Sequence, residues 1–281
     1  MKERIALLTD SACDLPVEII NEFNINVLPL KIIYGNQEFN DRVDIQPDEV
    51  YSQMPQKIPT TAMPCLGDIS RMFDNLKNKG YEKVLAVHIS SGLSGTFDAV
   101  RMWAQEVKDM QVHVFDTKVL SIAEGLQVYE AAKDIARGLE VNKIIENLRV
   151  QQSKIQTYYV LETLEYLKRG GRIGKVAATV GELLNIKPII SIDTEGKYFT
   201  FAKARGRRKS IDKLVELVEQ AVSTKTINLA VMHGGALEEA IKLRERLQDL
   251  PNIKEIIFGQ ISPALGVHTG PGLVGICVQE I

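Results

Sequence analysis

Short apolar runs alternate along this chain with segments in which apolar positions recur every three or four residues. The runs read as buried strands and the second period as helices with one buried face. Together they predict an α/β fold with largely parallel sheets. Residues 5–9 form the first predicted strand, and Asp14 with Pro16 opens a helix that carries Val17, Ile20 and Phe23. Residues 27–34 and 37–40, joined by Gly35-Asn36, read as a β-hairpin. Helices are expected over 47–54 and 66–79, with the hydroxyl-rich loop 60–64 between them. Strands 83–89 and 112–115 flank a helix that starts near Ser94 and buries Phe97, Val100 and Ala104. Helices over 123–137 and 143–152 close the first half.

A second α/β series begins with a strand over 155–161. Strands 188–192 and 198–204 bracket a hairpin turn at 193–196. The helix after Arg208 then places Ile211, Leu214, Val215, Val218 and Val222 on one face. Strands 227–232 and 255–259 enclose a helix over 237–247, and 273–278 ends the series as a strand. The polar stretch 151–156 marks the expected boundary. It divides the chain into an N-terminal α/β domain with a hairpin insertion, 1–153, and a C-terminal α/β domain, 154–281. Ligands favour domain junctions and the carboxyl ends of parallel strands, so the ligand site is expected between the two.

Composition narrows the partners. The 34 basic and 36 acidic residues nearly cancel, which leaves no global field for nucleic acid or an anionic membrane. The three cysteines, Cys13, Cys65 and Cys277, lie far apart without a C-x-x-C pair. Neither a disulfide framework nor a metal site is expected, and each thiol reads as a small buried apolar residue in a reducing cytoplasm. Lys2-Glu3-Arg4 leads into a strand too short for a signal sequence, and no apolar run is long enough for a transmembrane segment.

The densest chemistry lies at 88–97, His-Ile-Ser-Ser-Gly-Leu-Ser-Gly-Thr-Phe, where a strand feeds a tight turn that opens a helix. Free backbone N–H groups and hydroxyls there favour an anion, and Gly92 and Gly95 leave room for a ligand to approach the backbone. A capped helix after a tight turn is the simpler alternative. Gly92-Leu-Ser94-Gly-Thr96 also resembles a nucleophile elbow, for which His268 could act as base and Asp10 as its orienter, in a Ser/His acyl hydrolase. Asp10 could equally cap a turn. Gly270-Pro-Gly-Leu-Val-Gly275 matches a dinucleotide fingerprint in letters, but no strand feeds it and no helix has room to follow. The run 170–175 lacks the Ser or Thr of a phosphate-binding P-loop, since Val176 follows Lys175. The basic cluster 205–209 reads as a solvated face.

Five motifs in order resemble the DegV family: Thr9-Asp-Ser-Ala-Cys-Asp14-Leu-Pro16, Thr61-Ala-Met-Pro64, Ser90-Ser-Gly-Leu-Ser-Gly-Thr96, Leu164-Glu-Tyr-Leu-Lys-Arg-Gly-Gly-Arg-Ile173 and His268-Thr-Gly-Pro-Gly272. The resemblance spans nearly the whole chain. It implies two α/β domains that enclose a long-chain fatty acid such as palmitate, with no cofactor. It also implies presentation of the carboxylate to a separate ATP-dependent fatty acid kinase catalytic subunit, with no catalysis by this chain alone. Family members hold the carboxylate through a Thr matching Thr61 and a Ser matching Ser94. Ala62-Met63 departs from the family's frequent Ser-Gln and leaves head-group contacts from those two positions open. The candidate fatty-acid contacts are Thr61, Ser94, Ser91, Gly95, His268 and Thr269, and the candidate partner contacts are Arg172 and Arg205.

Overall fold

The computed structural model describes residues 4–179 and 185–281, so Lys2 and Glu3 of the charged N-terminal run lie outside it. The first half supplies β1 (Ile5–Asp10), a 3-10 turn (Ser11–Cys13), α1 (Val17–Glu22), β2 (Asn26–Leu28), β3 (Lys31–Tyr34) and β4 (Gln37–Asn40). It continues with α2 (Pro47–Gln53), β5 (Thr60–Ala62), α3 (Leu66–Asn78), β6 (Lys83–His88), α4 (Thr96–Glu106), β7 (Gln111–Asp116), α5 (Ile122–Arg137) and α6 (Val141–Gln152). The second half supplies β8 (Ile155–Val160), α7 (Glu165–Arg169), a 3-10 segment (Gly174–Thr179), β9 (Ile186–Ile192), β10 (Tyr198–Arg205) and α8 (Arg207–Val222). It ends with β11 (Ile227–Gly234), α9 (Leu237–Leu247), β12 (Ile253–Gln260), α10 (Pro263–Thr269) and β13 (Leu273–Glu280).

The first sheet runs β2-β1-β6-β7, and its pairings are all parallel. Helices cover both of its faces, which is why its strands read as unbroken apolar runs rather than alternating ones. Ala6, Leu8, Val84 and Ala86 point to one face and pack with Ile69 and Phe73 of α3 and Val100 of α4. Ile5, Leu7, Leu85 and Val87 point to the other and join a central core with Leu126 of α5. On α4 the buried set is Thr96, Ala99 and Val100. Phe97 and Ala104, both expected inside, are only partly buried.

The second sheet runs β10-β9-β8-β13-β11-β12 and corrects the expectation of parallel pairing in this half. Among its neighbours only β11 and β12 run parallel. A tight turn at Asp193–Gly196 folds β10 back along β9, and β13 returns between β8 and β11 against the direction of both. One face packs Leu229, Val231 and Ile276 under α8 and α9. The other turns Tyr159, Ala230, Met232 and Cys277 into the same central core that the first sheet faces. The two sheets therefore share one apolar interior.

The expected strand over 27–34 is two strands. Pro29, which has no N–H to give a ladder, separates β2 in the first sheet from β3 in a small sheet of order β4-β3-β5. The expected loop at 60–64 is in part β5, with Thr61 opposite Ile32. Cys13 and Cys277 are buried, but Cys65 is exposed, where its thiol faces Asp68 at the start of α3. Among the described residues, no helix is long and apolar enough to cross a membrane.

Candidate ligand-binding site between the two sheets

The turn after β6 lies at the carboxyl ends of the parallel strands and is braced from both halves. Ser90 Oγ donates to the carbonyl of Gly196 at 2.8 Å and accepts from the N–H of Gly92 at 3.1 Å. A Cβ on Gly92 would sit 2.7 Å from the Gly196 carbonyl oxygen. The close approach at Gly92 is thus to the β9–β10 turn and not to a ligand. At Gly95 the nearest neighbour of such a Cβ is the Met63 sulfur, at 3.0 Å. Ser94 Oγ lies 2.9 Å from Thr96 Oγ1 and accepts from the Thr96 N–H at 3.3 Å, a turn contact just ahead of α4, whose N-cap is Gly95.

α10 has no counterpart in the sequence-based reading, although Ser262-Pro263 carries its start signal: a capping hydroxyl followed by proline at the first helical position. This helix comes from the second half yet packs on α2, β3 and β5 of the first. It delivers His268 to Thr61, with Nε2 2.7 Å from Oγ1. The other ring nitrogen, Nδ1, is buried without a hydrogen-bond partner against Gly170, where a Cβ would lie 2.1 Å away. Burial, with the nearby positive charge of Arg172, pushes the His268 pKa down to about 4, so the imidazole is neutral at pH 7.

Thr61, Met63, Ser94, Gly95, Arg172 and His268 line one pocket of about 320 Å3. Arg172 is braced on the carbonyls of Leu93, at 3.3 Å, and Gly170, at 2.7 Å. The pocket shares Leu120, Tyr198 and Leu265 with an inner cavity of about 30 Å3, whose walls include Ile122, Tyr159, Met232, Leu273 and Ile276. A pocket with a few polar groups on a largely apolar wall thus adjoins a narrow apolar interior between the sheets. Leu120, Tyr198 and Leu265 were not picked out from sequence, because each belongs to an ordinary core pattern.

Three candidates lie elsewhere. Ser91 donates its hydroxyl to Asp116 and accepts from Lys118 Nζ at 3.2 Å, and it does not line the pocket. Thr269 donates to the Leu265 carbonyl at 3.1 Å and lines the inner cavity. Arg205 is exposed at the far end of β10 from Tyr198, about 23 Å along the strand. Within the same basic cluster, Arg207 is held by Glu239 at 2.6 Å and the Gly272 carbonyl at 2.6 Å.

The arrangement does not assemble a Ser-His-Asp relay. His268 pairs with Thr61, and its Nδ1 faces no carboxylate. Asp10 instead lies 2.9 Å from Nδ1 of His88 and accepts from the N–H of Ala12 at 3.1 Å, capping the 3-10 turn after β1.

The DegV family model, described as "Uncharacterised protein, DegV family", matches residues 4–280. A DegV domain-containing protein of Clostridium acetobutylicum is 42% identical over 276 residues, 98% of this chain and 99% of that protein. Two solved structures superpose with a TM-score of 0.91 at 29% identity, covering 99% of this chain and 100% of theirs. One is described as fatty acid binding by a DegV family protein from Thermus thermophilus, the other as DegV, a fatty acid binding protein from Bacillus subtilis. Fold, motifs and sequence agree, and the chain belongs to the DegV family.

Proposed function

We propose that this protein binds a long-chain fatty acid, with the carboxylate in the pocket of Thr61, Ser94 and His268 and the tail in the apolar interior. The carrying observation is that the pocket holding Thr61, Ser94, Arg172 and His268 adjoins an apolar cavity and shares Leu120, Tyr198 and Leu265 with it. The hydroxyls of Thr61 and Ser94, the amides opening α4 and the Arg172 guanidinium offer donors to an anion. Each methylene buried contributes about 0.8 kcal/mol, so the tail supplies affinity and the head group selects an acid. The inner cavity is narrow, and the tail makes room by moving side chains such as Met232, an unbranched chain suited to repacking. The two similar fatty-acid-binding proteins, from Thermus thermophilus and Bacillus subtilis, support this reading.

In the fuller form of the proposal, residues 1–153 and 154–281 act as two domains closing on the ligand in the cytoplasm. The bound carboxylate is presented to a separate ATP-dependent fatty acid kinase subunit, and the chain has no chemistry of its own. The family resemblance supports this step, and Arg172 at the pocket and Arg205 on β10 are the cations proposed to face that partner. Mass spectrometry of lipid extracted from the purified protein tests the binding step. A stoichiometric long-chain fatty acid is expected, and a protein that neither carries nor takes up one overturns the proposal.

A further inference from the structure

The end of α10 opposite His268 is held by two buried carboxylates of the first half. Asp14 Oδ1 accepts from the N–H of Ser262 at 2.8 Å, and Asp41 Oδ1 accepts from the N–H of Ala264 at 3.1 Å. Asp41 Oδ2 accepts from Ser11 Oγ at 2.6 Å. Arg42 donates to Asp14 at 2.8 Å and to the Gln260 carbonyl at 2.6 Å, which ties the segment just before α10 to the same cluster. Asp14 and Asp41 are both buried, and Asp14 and Arg42 both adopt left-handed backbone, at φ 52° and 61°. Such conformations persist where surrounding contacts fix them.

We propose that Asp41 and Asp14 are positioning residues for the pocket: they clamp the start of α10 to the first half, fix where His268 meets Thr61, and grip more firmly when Asp41 carries a proton. The ligand half of this inference rests on the fatty-acid reading above, while the clamp itself does not.

The sign follows from the surroundings of Asp41. Two carboxylates share one guanidinium, and Arg42 bonds Asp14 directly. Burial, with the charge of Asp14 adding to it, pushes the Asp41 pKa up to about 7, against the opposing hydrogen bonds and Arg42. The other titratable groups around the clamp are Cys13 beside Asp14, whose thiol is pushed up by burial, and Tyr51 of α2, likewise pushed up. α10 presents backbone N–H groups and the Ser262 hydroxyl on this side. If the clamp opens to water, Asp41 regains an ordinary carboxylate pKa of about 3.9. The closed form therefore binds the proton more tightly. Losing it as the pH rises through about 7 favours opening. His268, pushed down to about 4, stays neutral throughout that range.

The test follows release of radiolabelled palmitate from the loaded full chain to phosphatidylcholine vesicles, and amide exchange of Gly266 and Gly270 in the unloaded chain. Between about pH 6 and 8.5, release from the native protein should quicken roughly fivefold or more. Exchange in α10, corrected for intrinsic base catalysis, should rise in parallel. Asp41→Asn should release slowly and hold α10 closed at every pH. A native protein without this rise, or a variant that keeps it, overturns the clamp. Failure to load palmitate removes the fatty-acid reading and leaves the exchange experiment to decide the clamp alone. Should Asp41→Asn not fold, carbon NMR of the native aspartates decides. A carboxyl titrating near 7 with α10 amide shifts following the same midpoint is expected, and amides that ignore that midpoint refute the proposal.

Discussion

His268 Nε2 lies 2.7 Å from Thr61 Oγ1 across 207 residues of sequence, and this contact joins the second half of the chain to the first inside the pocket. Each partner is set by its backbone. Thr61 sits in β5, paired with Ile32, and His268 sits in the last turn of α10 against Gly170.

Burial of His268 makes stability depend on acid. Its pKa is about 4 in the folded chain, whereas an unfolded chain takes up the proton near 6.5. The unfolded state thus binds more protons in between, and stability falls as the pH drops from about 6.5 to about 4, by at most about 3 kcal/mol from this residue. Urea titrations across that range should show a shallower loss for His268→Asn than for the native chain. Parallel profiles would contradict the placement of the imidazole.

Ser94→Ala removes a hydroxyl from the pocket and a turn contact to the Thr96 N–H. A lost hydrogen bond to an anion costs about 1.5–3 kcal/mol, so fatty-acid affinity should fall roughly tenfold or more. Thr61→Val keeps the shape, loses the hydroxyl, and should weaken binding to a similar degree. Competition titrations with a fluorescent fatty acid check both. Native affinity in either variant would remove that residue from the head-group site.

The two glycines of the turn should respond differently. Alanine at Gly92 meets the backbone of Glu195 and Gly196 at 2.8 and 2.7 Å, which cannot move without parting the β9–β10 turn from the first sheet. Alanine at Gly95 meets the end of the Met63 side chain, which can swing aside. Thermal unfolding should show Gly92→Ala clearly destabilised and Gly95→Ala near native. Equal effects would mean that the β9–β10 turn is not closely docked.

Much of this fold was legible because helix and strand periods are local. The apolar runs of β1 and β6 and the face of α8 follow from the sequence pattern alone. Strand direction in the second sheet was not legible, because nothing in residues 273–278 says that β13 enters between β8 and β11. The site was legible in its letters and not in its pairings. Ser91, Ser94 and Ser90 look alike in sequence, yet Asp116 takes the first, α4 the second and Gly196 the third. Asp10 and His268 could be paired on paper, but the nearer imidazole at the sheet end is His88.

Under the proposed presentation to a kinase subunit, the two arginines should respond differently to substitution. Arg172 lines the pocket, so Arg172→Ala should weaken fatty-acid retention as well as kinase-coupled phosphorylation. Arg205 is exposed about 23 Å along β10 from Tyr198, so Arg205→Ala should spare retention and reduce phosphorylation only. Both assays on both variants decide it. Unchanged phosphorylation in Arg205→Ala would remove that residue from the partner surface.

The place of β13 has a consequence for how the protein is made. While the ribosome is still adding residues 273–280, β8 and β11 have emerged but lack the strand that lies between them. The first sheet, complete by Asp116, can form early on the nascent chain. The inner cavity, walled in part by Leu273, Gly275 and Ile276, closes only once synthesis has reached those residues, so the space between the two sheets is among the last features of the fold to form.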